Sequence, residues 1–305
     1  MPLLPWLEPS FAHFMGIVHR QKIAHAQLVG GSIGYGADTL CMAMAQAVLC
    51  EKASNHGACG FCKSCQLFEA RTHPDFYALE ADGNQIKVDQ VRQLCQRLQN
   101  TAQQGGYRVA LIRQCEKLNH AAANALLKTL EEPGVNSLLI LQSDTPSRLM
   151  ATITSRCQRT LVATPDKKAL RTWLEQQLGP CQDKLWCLPV VGGPIPLVEY
   201  CENGHYEQLL KYRNNWVNSL TTGQLQLGFT QLKDEHLVDA LKVLYFVLRQ
   251  QLLQPKLDNP FMRQAVVALA DQVMHQVHQL NRMPNVNNLA ICQRFVLEYQ
   301  QVTKL

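Results

Sequence analysis

Hydrophobic and polar positions follow two different rules in the two halves of this chain. In the first half, short apolar runs bounded by glycine, proline and polar clusters predict strands over 26–30, 76–80, 107–112 and 137–142. Between them the period lengthens. Residues 11–20, 38–49 and 88–100 carry apolar side chains at helical spacing, as in Val91, Leu94, Cys95 and Leu98, and a helix over 121–132 is closed by Pro133. Strands that alternate with helices need crossover connections, so the expected architecture is a mainly parallel sheet with helices on both faces.

Past Thr164 and Pro165 the strand pattern stops. A helix is predicted over 166–178, and Gly179-Pro180 and Gly192-Gly193-Pro194 punctuate what reads as a small helical module. From Tyr206 onward apolar residues recur at helical period: Leu237, Leu241, Leu244 and Leu248, then Leu269, Val273, Val277 and Leu280, then Leu289, Cys292, Val296 and Tyr299. Stripes of this kind usually form the core of a bundle. The expected fold class is α/β followed by all-α, divided as 1–164, 165–205 and 206–305, since 305 residues exceed one typical core.

An apolar content of 47% excludes general disorder. The first eight residues place prolines and Glu8 where a secretion signal needs basic residues and an unbroken apolar stretch. The richest apolar stretch, 237–253, is interrupted by Asp239, Lys242 and Arg249, so nothing here is expected to span a bilayer and the chain is expected to be cytoplasmic. In that compartment twelve cysteines read as thiols or metal ligands rather than a disulfide framework. A net charge of +5, with no dense Lys/Arg run, permits contact with nucleic acid without marking a dedicated site.

Two clusters carry chemistry. The predicted strand at 26–30 runs into Gly31, Ser32, Ile33, Gly34, Tyr35 and Gly36, the glycine frame of a nucleotide phosphate loop. In a working loop a Lys and a Ser or Thr follow, reaching the phosphates and Mg²⁺; here Ala37 and Asp38 stand in their places. The frame also fits an ordinary glycine-rich turn. An Asp there repels a polyphosphate but suits the N-terminal dipole of an empty helix. The second cluster is Cys50, Cys59, Cys62 and Cys65, whose spacings, helped by turns at Gly57 and Gly60, aim four sulfurs at one cation. Four thiolates leave no position for water, which points to structural zinc in an insert too polar to build a core alone. Free thiols or a redox pair are the alternatives, and His56 is a possible substitute ligand.

The run AAANALLKTLEEP, from Ala121 through Asn124 and Lys128 to Pro133, followed by Ser155, Arg156 and Cys157, resembles the clamp-loader branch of the AAA+ ATPases. The four-cysteine insert and Thr72, His73, Pro74 and Asp75 extend the resemblance, which weakens toward the C-terminal bundle, where Asn287, Asn288 and Leu289 add light support. The resemblance implies an AAA+ domain, a helical lid and a collar that joins a hetero-oligomeric ring. Anchored on Leu118 and Asn124, it puts Arg113 and Gln114 where ATPase members carry the acids that hold Mg²⁺ and orient water. Ser143 and Asp144 fall near the phosphate-sensing position. With the Lys, the hydroxyl and both acids gone, no intrinsic ATPase is expected.

The resemblance gives Arg156 a positive role, as an arginine finger reaching the ATP site of a neighbouring subunit. The bland reading is a surface arginine in a weak ion pair. Lys128 is either a subunit contact or a solvated helix-face lysine. The implied function is that of a non-hydrolysing subunit of the DNA polymerase III clamp loader, a stator in DNA replication. The implied partners are gamma/tau ATPase subunits, a clamp-opening delta subunit and, through the assembled complex, the β sliding clamp and primer-template DNA. The rivals are an ATPase with a divergent phosphate loop and a DNA-binding zinc knuckle, the latter disfavoured by an insert whose one aromatic residue is Phe61.

Overall fold

The computed structural model describes residues 3–104, 106–230, 232–253, 259–280 and 287–303. Of the segments read above, Met1 and Pro2 lie outside the described residues. The chain divides into two compact units, Met1–Leu170 and Arg171–Leu305.

The first unit is built on five strands, β1 (Ala26–Gly30), β2 (Phe76–Leu79), β3 (Arg108–Ile112), β4 (Ser137–Ser143) and β5 (Gln158–Leu161). They form one all-parallel sheet in the order β2-β3-β4-β1-β5. The helices of this unit are α1 (Glu8–His19), α2 (Ala37–Leu49), α3 (Lys63–Glu69), α4 (Val88–Gln99), α5 (His120–Glu131) and α6 (Ala151–Thr154). β1, β3 and β4 are buried along their whole length, which is why they read as continuous apolar runs. Alternate residues serve opposite faces: Ala110, Ile112, Leu139 and Leu141 join Val91, Leu94, Leu98, Leu126 and Leu130 of α4 and α5 in one core. α2, with α1 beside it, packs against the sheet through a run of buried Leu40, Cys41 and Met44.

In this register Gly30 lies beside Ser143 on β4 and Leu161 on β5, and Ile112 lies beside Leu141. The carboxyl ends of β1, β3 and β4 therefore open together at the turn before α2, the crevice where such sheets place a ligand site.

β5 and α3 are absent from the sequence expectations. β5 has the composition Gln-Arg-Thr-Leu with alternating half-exposed positions, and only its pairing with β1 makes it a strand. α3 lies inside the cysteine insert and starts from a thiol, the Cys62 sulfur accepting the Cys65 N–H, where an oxygen is the usual signal.

The second unit is helical, and the boundary falls within α7 (Lys167–Leu178). It continues with α8 (Leu188–Val191), α9 (Pro194–Glu202), α10 (His205–Thr222), α11 (Asp234–Leu252), α12 (Pro260–Leu280) and α13 (Asn288–Thr303). α11 packs on α10 and α12, and α13 packs on α12 and returns to α10, closing a four-helix bundle. Trp216 is fully buried at its centre, its ring against Phe229 and its indole N–H donated to the Ala240 carbonyl at 2.7 Å. The three apolar stripes are largely this core; Leu289, the first residue of the last stripe, is exposed instead.

Candidate functional site

The phosphate-type loop joins β1 to α2 as the sequence predicts, with a 3-10 turn at Ile33–Tyr35 and Gly36 in the left-handed region at φ 90°. A side chain at Gly36 would be strained and its Cβ would collide with Leu4. Leu4 and Leu7 are buried over this turn, and the Trp6 indole donates to the Tyr35 carbonyl at 2.8 Å.

The amide groups of such a loop hold phosphate only when they are free. Here the Gly31 N–H donates to the Ser143 carbonyl, the Gly34 N–H to the Ser32 hydroxyl, the Tyr35 and Ala37 N–H groups to the Ser32 carbonyl, and the Gly36 N–H to the Ile33 carbonyl. The Ile33 N–H donates to the Asp144 carboxylate at 3.2 Å. Asp144 is held there by the buried Gln142 amide, which donates to both Asp144 (2.8 Å) and the Gly31 carbonyl (3.0 Å) while its oxygen accepts the Gln114 N–H (2.8 Å). An internal carboxylate thus faces the loop from β4, and Gln114 takes a left-handed φ of 47° to meet Gln142.

The charges around α2 are reversed relative to a metal–nucleotide site. Arg113, leaving β3, donates through Nε and Nη2 to the two oxygens of Asp38 at 2.5 and 3.3 Å and through Nη1 to Glu80. Burial opposes the charge on Arg113, but the carboxylates of Asp38 and Glu80 outweigh it and hold the guanidinium more firmly protonated than usual. Asp38 and Arg113, which the sequence presented as two separate losses, are one ion pair.

Arg156 follows α6 and is exposed. Its Nη2 pairs with the Glu131 carboxylate at 2.8 Å and its Nη1 donates to the Thr152 carbonyl at 2.8 Å. Cys157 packs against the α4–α5 core, where burial pushes its thiol up to about 11. The Ser-Arg-Cys triplet therefore anchors on one side and presents a charged fork on the other. The two motifs from 121–133 and 155–157 meet through Glu131, whose role sequence reasoning missed. Lys128 is exposed on α5.

The four predicted cysteines converge. Their sulfurs all lie within 4.8 Å of one another, the only such His/Cys/Asp/Glu cluster among the described residues. Cys50 and Cys62 are 3.9 Å apart and Cys59 and Cys65 4.0 Å, against edges of about 3.8 Å for a tetrahedron of Zn–S bonds near 2.3 Å. Backbone N–H groups already point at the sulfurs: Lys52 and Cys59 at Cys50, Cys62 at Cys59, and Cys65 at Cys62. Such donors stabilise thiolates. Burial raises the thiols of Cys50 and Cys65, whereas at Cys59 a desolvation penalty is outweighed by the Phe61 and Cys62 amides and the thiol falls to about 7. Four thiolates at this spacing need a divalent cation to coexist, so the donor set fits zinc. His56 is exposed and outside the cluster.

The insert is fastened to the sheet by His73. Its Nδ1 accepts the Asp75 N–H at 3.1 Å, so Nε2 carries the proton and donates to the Ser64 hydroxyl at 2.8 Å, which donates to the Leu49 carbonyl at 2.6 Å. The Asp75 carboxylate accepts the Gln103 and Gln104 N–H groups.

A five-stranded parallel sheet in this order, a phosphate-type loop between β1 and α2, a four-cysteine insert behind α2 and a helical unit after it define an AAA+ protein of the clamp-loader class. The family model described as DNA polymerase III, delta subunit, matches residues 7–166. The chain belongs to the DNA polymerase III delta-prime subunit family. It is similar to DNA polymerase III subunit delta' of Haemophilus influenzae, 37% identical over 70% of this chain and 67% of that protein. It is also similar to the same subunit of Pseudomonas aeruginosa, 42% identical over 58% and 53% of the two chains. With that of Escherichia coli K12 it shares 39% identity over 59% of this chain and 55% of the relative. The matched part thus spans about half the length of the Escherichia coli and Pseudomonas relatives.

Proposed function

We propose that this chain is the non-hydrolysing subunit of a DNA polymerase III clamp loader. It supplies Arg156 in trans to the ATP site of a neighbouring gamma/tau subunit while the ring, completed by a delta subunit, loads the β sliding clamp onto primed DNA. A planar, permanently charged guanidinium stabilises charge building on a transferring γ-phosphoryl group. The exposed fork of Arg156, held by Glu131 and Thr152 beside a half-buried Cys157, supports that role.

The observation that carries the non-hydrolysing half is the loop itself. The amides of Gly31 and of Ile33 through Ala37 are engaged with Ser32, Ile33, Ser143 and Asp144, and Arg113 neutralises Asp38, so a nucleotide would have to displace protein partners and meet a carboxylate. A subunit without nucleotide-driven closure responds to ATP only through its neighbours and serves as their fixed reference. In this reading residues 1–164 are the inactive AAA+ domain, 165–205 a lid and 206–305 a collar. Cys50, Cys59, Cys62 and Cys65 hold structural zinc, and the chain works in the cytoplasm; among the described residues no helix is long and apolar enough to cross a membrane.

The test is reconstitution of the loader with wild-type or Arg156→Ala chain, followed by clamp-stimulated, DNA-dependent ATP turnover. The reading expects a clear fall in turnover with assembly intact. Unchanged turnover removes the arginine-finger role.

A further inference from the structure

Glu131 is in an unfavourable place for an acid. It is the last residue of α5, where the helix dipole favours cations, and Glu132 follows it. A carboxylate at such a position needs a compensating contact, and it has one: the Arg156 guanidinium at 2.8 Å. The end of α5 is itself fixed, because the His25 ring, just ahead of β1, bonds the Leu130 carbonyl at 2.9 Å and Leu130 is buried in the α4–α5 core. The opposite anchor is the Thr152 carbonyl in the first half of the one-turn helix α6, whose Ile153 is buried in the same core.

Arginine has five N–H donors in one plane. Glu131 engages one on Nη2 and Thr152 one on Nη1, which leaves Nε–H and one hydrogen on each terminal nitrogen for an incoming anion. An unanchored arginine side chain on an exposed segment would sample many rotamers and lose that entropy on each encounter.

We infer that Glu131 is the positioning residue for Arg156: it fixes the plane and reach of the guanidinium, so that the fork meets a phosphoryl group on the neighbouring chain already aligned. This inference rests on the arginine-finger reading above. Glu131 touches no substrate itself; it acts through Arg156.

The experiment compares loaders reconstituted with wild-type, Glu131→Ala, Glu131→Gln, Arg156→Ala and Glu131→Ala/Arg156→Ala chains, reading kcat and KM for ATP with clamp and primed DNA present. Glu131→Ala should reproduce about half or more of the kcat loss seen with Arg156→Ala, with KM for ATP moving less than about twofold, the pattern of an interaction realised in the transition state. Glu131→Gln should restore most of the rate, since an amide oxygen still accepts the Nη2 hydrogen. In the double variant the loss should equal that of Arg156→Ala alone. A structural defect at the end of α5 would add to the Arg156→Ala loss instead, and additivity overturns the inference. Full activity of Glu131→Ala beside an impaired Arg156→Ala overturns the inference and leaves the finger standing. Full activity of Arg156→Ala removes both.

Discussion

Asp38→Ala is the most informative change in the loop, because a nucleotide-binding reading and an internal-pairing reading expect opposite results. In the ion pair the two side chains are 29% and 20% exposed, so the contact lies between a surface bridge of about 0.2–1 kcal/mol and a buried one whose breakage costs about 3–5 kcal/mol. Screening by the exposed portions and the remaining contact from Arg113 to Glu80 place the expected cost at about 1–2 kcal/mol. For a protein of this size that is a fall of about 2–8 °C in the melting temperature of the first unit. Urea denaturation followed by circular dichroism, for Asp38→Ala, Arg113→Ala and the double variant, should give a coupling energy of about 1 kcal/mol. The same Asp38→Ala chain should gain no ATP affinity although it has lost an anion, since the loop amides stay engaged with Asp144 and the Ser32 groups. A coupling energy below about 0.3 kcal/mol would rule out a structural ion pair here, and saturable ATP binding by Asp38→Ala would show that the loop amides are free to hold phosphate.

Three further outcomes follow from the same geometry. Elemental analysis should find one zinc per chain; Cys62→Ser, whose hydroxyl still caps α3 but supplies no thiolate, should abolish it and lose amide-exchange protection across the cysteine insert while the sheet stays protected, and zinc retained in that variant would contradict the four-sulfur site. Gly36→Ala should destabilise by about 2 kcal/mol in urea titrations through its positive φ and the displaced Leu4; an unchanged midpoint would show that the turn relaxes freely. His73 is held neutral by burial, which lowers its pKa despite Asp75, so the unfolded chain binds the proton more readily. Its contribution is complete above about pH 6.5 and is lost as pH falls through the folded value, and His73→Gln should flatten that acid-side slope; an unchanged slope would assign the acid sensitivity elsewhere.

The strands β1, β3 and β4 were legible because burial on both faces forces continuous apolar runs, and α4 because its stripe of Val91, Leu94 and Leu98 repeats at helical period. β5 was not, since an edge strand of Gln, Arg, Thr and Leu has no pattern of its own. The cysteine quartet was legible because its four sulfurs lie within one short segment. The contacts that define the rest of the site join distant residues: Asp38 to Arg113 across 75 positions and Ile33 to Asp144 across 111. The substitutions at those positions could be seen one by one, but their pairing depends on strand order, which brings the ends of β1, β3 and β4 together. Glu131 was hidden for the same reason, as one acid of a Glu-Glu pair whose partner lies beyond β4.

In the proposed division of labour this chain contributes a cation and its neighbour holds the fuel. Equilibrium dialysis of Mg·ATP against the isolated chain tests it most directly. The isolated chain should show no saturable binding up to about 1 mM nucleotide and no phosphate release. Stoichiometric, saturable binding with turnover lost on substituting the loop would contradict it.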